Sequence, residues 1–168
     1  MNQSFMMDQS EIQSILPHRY PFLLVDRVTE FVRGERIAGV KTFAASEPYV
    51  PGHFPGVPLV PCSILLEMTT QLGAVLVLER PDMAGKIAVI LQIPSAHMYS
   101  LVEPGELVRS EAQILKWRGN FGELNGAVYR EGALVAEGRM RFAVAPATEL
   151  MSGKVAAHGA DLPQKPRS

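Results

Sequence analysis

Cysteine is almost absent from this chain. Cys62 is the only one in 168 residues, which excludes an intrachain disulfide framework and any cysteine-based metal cluster and fits a reducing compartment. Charge of one sign is missing too: 16 Lys and Arg stand against 17 Asp and Glu, for a net charge of −1. There is no basic excess to mark a nucleic-acid surface and no acidic excess to mark a solvated, disordered chain. No apolar run is long enough for a membrane span. The longest, residues 64–78, is interrupted by Glu67, Thr69, Thr70, Gln71 and Gly73 and falls short of the roughly 20 residues a span needs. Residues 1–13 are polar and lack the apolar core of a secretory signal. A cytoplasmic protein is expected, with neither nucleic acid nor membrane as partner. No set of His, Asp or Glu has metal-ligand spacing, and no glycine-rich phosphate loop occurs.

What is present is enough apolar residue, 47% of the chain, to bury one core. Asp8 or Ser10 can cap a short helix that Pro17 stops. Residues 22–32 and 36–44 read as a hairpin about an Arg33-Gly34-Glu35 turn. A stretch holding Pro48, Pro51, Pro55, Pro58 and Pro61 can be the interior of neither strand nor helix; it reads as a fixed, shaped loop. Pro61 suits the start of a helix over residues 62–79, and Pro81 lies just past its end. Residues 87–93, 97–102, 107–117, 123–130 and 134–144 read as strands, with turns at Glu103-Pro104-Gly105-Glu106 and Gly119-Asn120-Phe121-Gly122. The clean alternation in residues 107–117 and 134–144 marks an antiparallel sheet with one solvated face. The long helix is apolar nearly all round, so the sheet must wrap it or a partner must cover it. The expected class is α+β, with one domain over residues 1–145. Residues 146–168, rich in Ala, Gly, Pro, Lys and Ser, read as a mostly disordered tail.

Two residues stand out chemically. Glu67 lies inside the apolar helix, where an unpartnered carboxylate costs several kcal/mol or takes up a proton. Ser63, Thr70 and Gln71, three or four residues away, form a narrow polar stripe with it. Desolvation there favours the protonated acid. The alternative is a buried structural carboxylate satisfied by Gln71 and the backbone. The second residue is His53, in Gly52-His53-Phe54-Pro55-Gly56, a rigid segment just before the helix. Histidine is the natural general base near neutral pH, and glycine permits close backbone approach to a ligand. The backbone N–H groups near Cys62 and Ser63 at the helix start can polarise a carbonyl. A base, an acid and such a donor are what proton abstraction beside a carbonyl, with loss of a β-hydroxyl, requires. Cys62 is also a candidate nucleophile, though packing is the commoner use of such a cysteine. His18, in the stiff turn Pro17-His18-Arg19-Tyr20-Pro21, ranks below His53 and is expected beside the site. His97 reads as a strand residue, and His158 falls in the tail.

At these residues the sequence resembles the 3-hydroxyacyl-[acyl-carrier-protein] dehydratases of bacterial fatty-acid synthesis. The resemblance covers roughly residues 12–144. Its first motif is Ile15-Leu16-Pro17-His18-Arg19-Tyr20-Pro21-Phe22-Leu23-Leu24-Val25-Asp26-Arg27-Val28. Its second is Gly52-His53-Phe54-Pro55-Gly56-Val57-Pro58, followed by Pro61, Glu67 and Gln71. The resemblance implies a hot-dog fold, an antiparallel sheet wrapped around a long central helix. It implies a homodimer with its helices side by side, often assembled into a trimer of dimers. It further implies that His53 of one subunit works with Glu67 of the other, and that Gln71 supports Glu67. The substrate implied is an acyl chain on a carrier protein, or on coenzyme A, lying in a tunnel near the Phe54-Pro55-Gly56 loop. No metal or organic cofactor is implied. The sequence departs from the family pattern in three places. Cys62 stands where glycine is usual, residues 95–102 lack the usual basic side chains, and polar Thr69 and Thr70 replace small apolar residues. These mark a divergent member.

On this reading the chain is a dehydratase. Two other readings keep the fold: a thioesterase in which Glu67 or His53 activates water, and an acyl-binding subunit without turnover.

Overall fold

The computed structural model describes residues 5–152. Helix α1 spans Gln9–Ile15 and is opened by a reciprocal cap: the Asp8 carboxylate accepts from the Glu11 N–H at 2.9 Å, and the Glu11 carboxylate accepts from the Asp8 N–H at 2.8 Å. This satisfies two of the N–H groups that a helix start leaves open. At the other end the Arg19 guanidinium donates to the carbonyls of Gln13, Leu16 and His18. A cation is favourable at a helix C-terminus, and here it also folds the following turn back against α1.

Strands β1 (Arg27–Val32) and β2 (Arg36–Thr42) form the expected hairpin. The first strand starts only at Arg27, although the apolar residues begin at Phe22. Leu23, Leu24 and Val25 are buried as loop. Their segment does not need a ladder partner, because the Gln71 side chain takes the Phe22 carbonyl and the Leu24 N–H.

Helix α2 spans Cys62–Leu78 and is buried along most of its length. A single turn of 3-10 helix, Pro81–Met83, ends the segment. Four strands follow: β3 (Lys86–Met98), β4 (Leu107–Arg118), β5 (Phe121–Arg130) and β6 (Ala133–Pro146). Residues 87–93 and 97–102, expected as two strands, are one 13-residue strand that ends at Met98. Pro94 is tolerated within it because β3 pairs only with β6, at the sheet edge, and register shifts between Ile90 and Gln92 and between Gln92 and Ser95 absorb the missing donor. The β4–β5 turn is tighter than expected. Phe121 and Gly122 already pair, with Arg118 and Trp117, and Gly119 turns the chain at φ +59°.

The six strands form one antiparallel sheet in the order β1-β2-β4-β5-β6-β3. Helix α2 packs against β2 through β6, so the sheet curves around it. This is the wrapping that an all-round apolar helix requires. Close approach is permitted where the sheet presents glycine. A Cβ on Gly39 would stand 2.7 Å from a Leu72 methyl, and one on Gly126 would overlap the Thr69 methyl. Strand β6 runs through Pro146, and helix α3 (Ala147–Met151) follows it. The remaining expected tail, residues 153–168, lies outside the described residues.

Candidate active site

The site is built where the turn after α1 meets the middle of α2. Gln71 is 1% exposed and links the two. Its carbonyl oxygen accepts from the Leu24 N–H at 2.8 Å; its amide nitrogen donates to the Phe22 carbonyl at 2.8 Å and to Glu67 Oε1 at 3.0 Å. One turn of helix separates Glu67 and Gln71, which places both side chains on one face. The Thr70 hydroxyl lies 2.8 Å from the Glu67 carbonyl and 3.1 Å from Glu67 Oε2, so its single proton can serve either. His18 Nε2 stands 3.9 Å from Glu67 Oε1.

These four side chains form the polar end of a cavity of about 190 Å³, whose other walls include Ala74, Val77, Ile90 and Phe142. The sequence predicts a buried Glu67. In the chain by itself the carboxylate is 27% exposed, because this face of α2 opens onto the cavity instead of packing on the sheet. A carboxyl group at the head of an apolar pocket can exchange a proton with a polar substrate atom while an apolar chain fills the rest.

His53 stands apart from this cavity; its ring is not among the lining groups. Its loop is nonetheless well defined. Phe54 and Val57 exchange two backbone hydrogen bonds around Pro55 and Gly56, and Gly56 has φ +81°. Proline then glycine at the centre of a turn is the type II pattern, in which the second central residue must be left-handed. The His53 ring stacks on Phe54 at 4.5 Å, and its Nδ1 lies 3.2 Å from the Leu59 carbonyl. That carbonyl can only accept, so in the neutral ring it is Nδ1 that carries the proton and Nε2 that offers the lone pair. A base with a fixed tautomer results.

At the start of α2 no side chain caps the helix. Among the described residues the N–H groups of Cys62 and Ser63 have no acceptor, whereas those of Ile64 and Leu65 turn back to the Pro61 carbonyl. Burial pushes the Cys62 thiol above its ordinary pKa. The thiol therefore stays protonated near neutral pH, and the N–H is what this residue offers. Ser63 is exposed, and the side-chain hydrogen bonds to the Glu67 carboxyl group come from Thr70 and Gln71, so the polar stripe contracts to these three. Phe54 is exposed, as are Pro55 and Gly56.

A family model described as the FabA-like domain matches residues 16–139. The chain belongs to the FabA-like family. Two relatives of this FabA-like chain are proteins named 3-hydroxyacyl-[acyl-carrier-protein] dehydratase FabZ. The one from Desulforamulus reducens is 45% identical over 139 residues, covering 83% of this chain and 98% of the relative. The one from Pelotomaculum thermopropionicum is 44% identical, covering 83% and 99%. Solved structures share the fold. The dehydratase heterocomplex ApeI:P from Xenorhabdus doucetiae superposes with a TM-score of 0.70 at 18% identity, over 84% of this chain and 95% of that one. A hot-dog-like protein from Thermanaerovibrio acidaminovorans does so with a TM-score of 0.59 at 19% identity, over 80% and 96%. The fold of this FabA-like chain is the hot-dog fold.

His18 lies beside the site, as its turn led us to expect. Its signal was the stiff turn between Pro17 and Pro21, but only the fold brings that turn onto α2. His97 lies on β3, stacked on Tyr99 at 6.3 Å and away from the cavity. His158 lies outside the described residues. Among the described residues no helix is long and apolar enough to cross a membrane, and no group of three or more His, Cys, Asp or Glu side chains is arranged to hold a metal ion.

Proposed function

We propose that this chain dehydrates a 3-hydroxyacyl thioester in fatty-acid or related acyl-chain synthesis. The observation that carries the reading is the cavity itself: a carboxyl group held by Gln71 and Thr70 at the polar end, and an apolar wall beyond it. His53 Nε2 takes a proton from the α-carbon. Glu67, entering the cycle protonated, gives its proton to the β-hydroxyl as the C–O bond breaks. Water leaves, and the electron pair of the lost C–H bond becomes the α,β double bond of a trans-2-enoyl thioester. The N–H groups of Cys62 and Ser63 polarise the thioester carbonyl, where charge develops as the α-proton departs.

The pair is completed by a second subunit. His53 and the Glu67 cavity are separate within one chain, and β3 leaves one edge unpaired among the described residues. An unpaired edge with Ile93 half-exposed is a surface for pairing with a second copy. A homodimer, alone or as a trimer of dimers, brings His53 of one subunit to Glu67 of the other. Phe54, Pro55 and Gly56 then line the tunnel mouth. The acyl group arrives on acyl carrier protein or on coenzyme A. A single free cysteine suits a reducing compartment, and we place the reaction in the cytoplasm.

The test is a panel of 3-hydroxyacyl thioesters on both carriers. The expected outcome is a gain of enoyl absorbance with no thiol released, lost by at least about 100-fold in E67Q with the assembly intact. Thiol release would replace this reading with a thioesterase. Ligand protection against heat without either product would replace it with a binding subunit.

A further inference from the structure

The turn between α1 and the first strand brings a second histidine to the cavity, and the chemistry above does not use it. His18 Nε2 faces Glu67 Oε1 at 3.9 Å, while its Nδ1 is buried without a hydrogen-bond partner. The ring packs near Phe22, with centroids 6.2 Å apart. Its turn is pinned from both sides, by Arg19 on the carbonyls of α1 and by Gln71 on Phe22 and Leu24. The ring is therefore held at Glu67 by the fold.

Burial lowers the His18 pKa below 6.5. Glu67 opposes that shift and Arg19 adds to it. The ring is neutral near pH 7 and carries one proton. On Nδ1 that proton would be a buried donor without an acceptor, which structures avoid. On Nε2 it faces an oxygen of the Glu67 carboxyl group. The stable tautomer is Nε2–H.

We propose that His18 is a positioning residue for Glu67, its Nε2–H closing on Oε1 to hold the carboxylate formed when the acid has passed its proton to the departing hydroxyl. The inference rests on the dehydratase reading above. A separation of 3.9 Å exceeds a hydrogen bond, but a small side-chain rotation closes it, and such contacts commonly tighten only when substrate fills the site. The donor is worth more as negative charge grows on Glu67, so it favours the transition state over the ground state.

The experiment compares H18Q, H18L, E67Q, E67D and H18L/E67D with the wild type, scoring enoyl product, melting temperature and assembly. Gln keeps an N–H near the Nε2 position; Leu keeps apolar bulk without a donor. H18L is expected to lower kcat by about 10- to 100-fold with KM within about threefold, and H18Q to stay within about threefold of wild type. In E67D the carboxyl group is drawn back by one methylene, so adding H18L should cost less than about threefold. A packing role predicts the reverse ranking, with H18L better than H18Q and activity following melting temperature, and that result would overturn the proposal. Multiplied losses in the double variant would overturn it too. Wild-type turnover in E67Q removes Glu67 and His18 together. An inactive E67Q beside a fully active H18L removes His18 alone.

Discussion

Gln71 divides one side chain between the helix and the turn beside it, and the placing of Glu67 depends on that division. A glutamine 1% exposed leaves no room for an unmatched amide, and its three bonds fix the turn, the helix and Glu67 together. His18 shows the same coupling through its protonation. Its pKa falls below 6.5 in the fold, first because burial disfavours the charged ring. Above pH 6.5 both folded and unfolded chains hold it neutral. Below 6.5 the unfolded chain takes up the proton first, so the stability gained from burying a neutral ring is present above 6.5 and lost as pH falls through the lowered folded value. Urea midpoints of wild type and H18Q should run parallel above pH 7. Below about pH 6 the wild type should lose stability more steeply. Curves that stay parallel throughout would show that His18 does not titrate in this way. Glu67 and Gln71 were legible in the sequence because a carboxylate and an amide interrupt an apolar helix. The contact of His18 with Glu67 was not, because its partner is 49 positions away in the chain and its charge is set first by burial and then by Glu67 and Arg19.

At the level of elements, α1, α2 and most strands could be read from periodicity and punctuation, whereas α3 falls where a disordered tail was expected. The capping pair Asp8 and Glu11, the Pro61 start of α2 and the alternation in β4 and β6 each have a local cause. The misread segments have non-local ones. Residues 22–26 look like strand but are loop, since a helix side chain takes their backbone groups. Pro94 looks like a break, but an edge strand pairs past it. The glycines of the sheet also act at this scale. A Cβ on Gly126 would overlap the Thr69 methyl, while the Thr69 hydroxyl meets Ser110 Oγ at 2.8 Å. G126A should therefore destabilise the fold by about 1–3 kcal/mol through overpacking. T69S removes the obstructing methyl and keeps the hydroxyl. In T69S/G126A, denaturant unfolding should return to within about 1 kcal/mol of T69S alone. Additive losses would show that the helix does not sit this close to the sheet.

At the level of the whole molecule, Glu67 lines the cavity and His53 lies on a loop outside its lining. The proposed sharing of the two across a two-fold interface has a numerical consequence. H53A and E67Q should each be nearly inactive alone. Subunits of the two mixed and reassembled at random form mixed dimers half the time, each with one intact site of two. About a quarter of wild-type activity should return. An inactive mixture with confirmed subunit exchange would put both residues of each site on one chain and sink the shared-site reading.

By itself the sequence determined the parts: a helix apolar on all sides, strands that alternate, a carboxylate and a glutamine one turn apart, and a histidine in a proline-glycine turn. Each follows from the spacing of neighbouring residues, which local geometry converts directly into faces and turns. Tertiary structure alone decided which parts meet. It laid the 17–21 turn against Glu67, opened a cavity where the pattern reads as core, kept His53 out of that cavity's lining and left one edge of β3 unpaired among the described residues. Those outcomes depend on long-range packing and desolvation, and no local pattern encodes either.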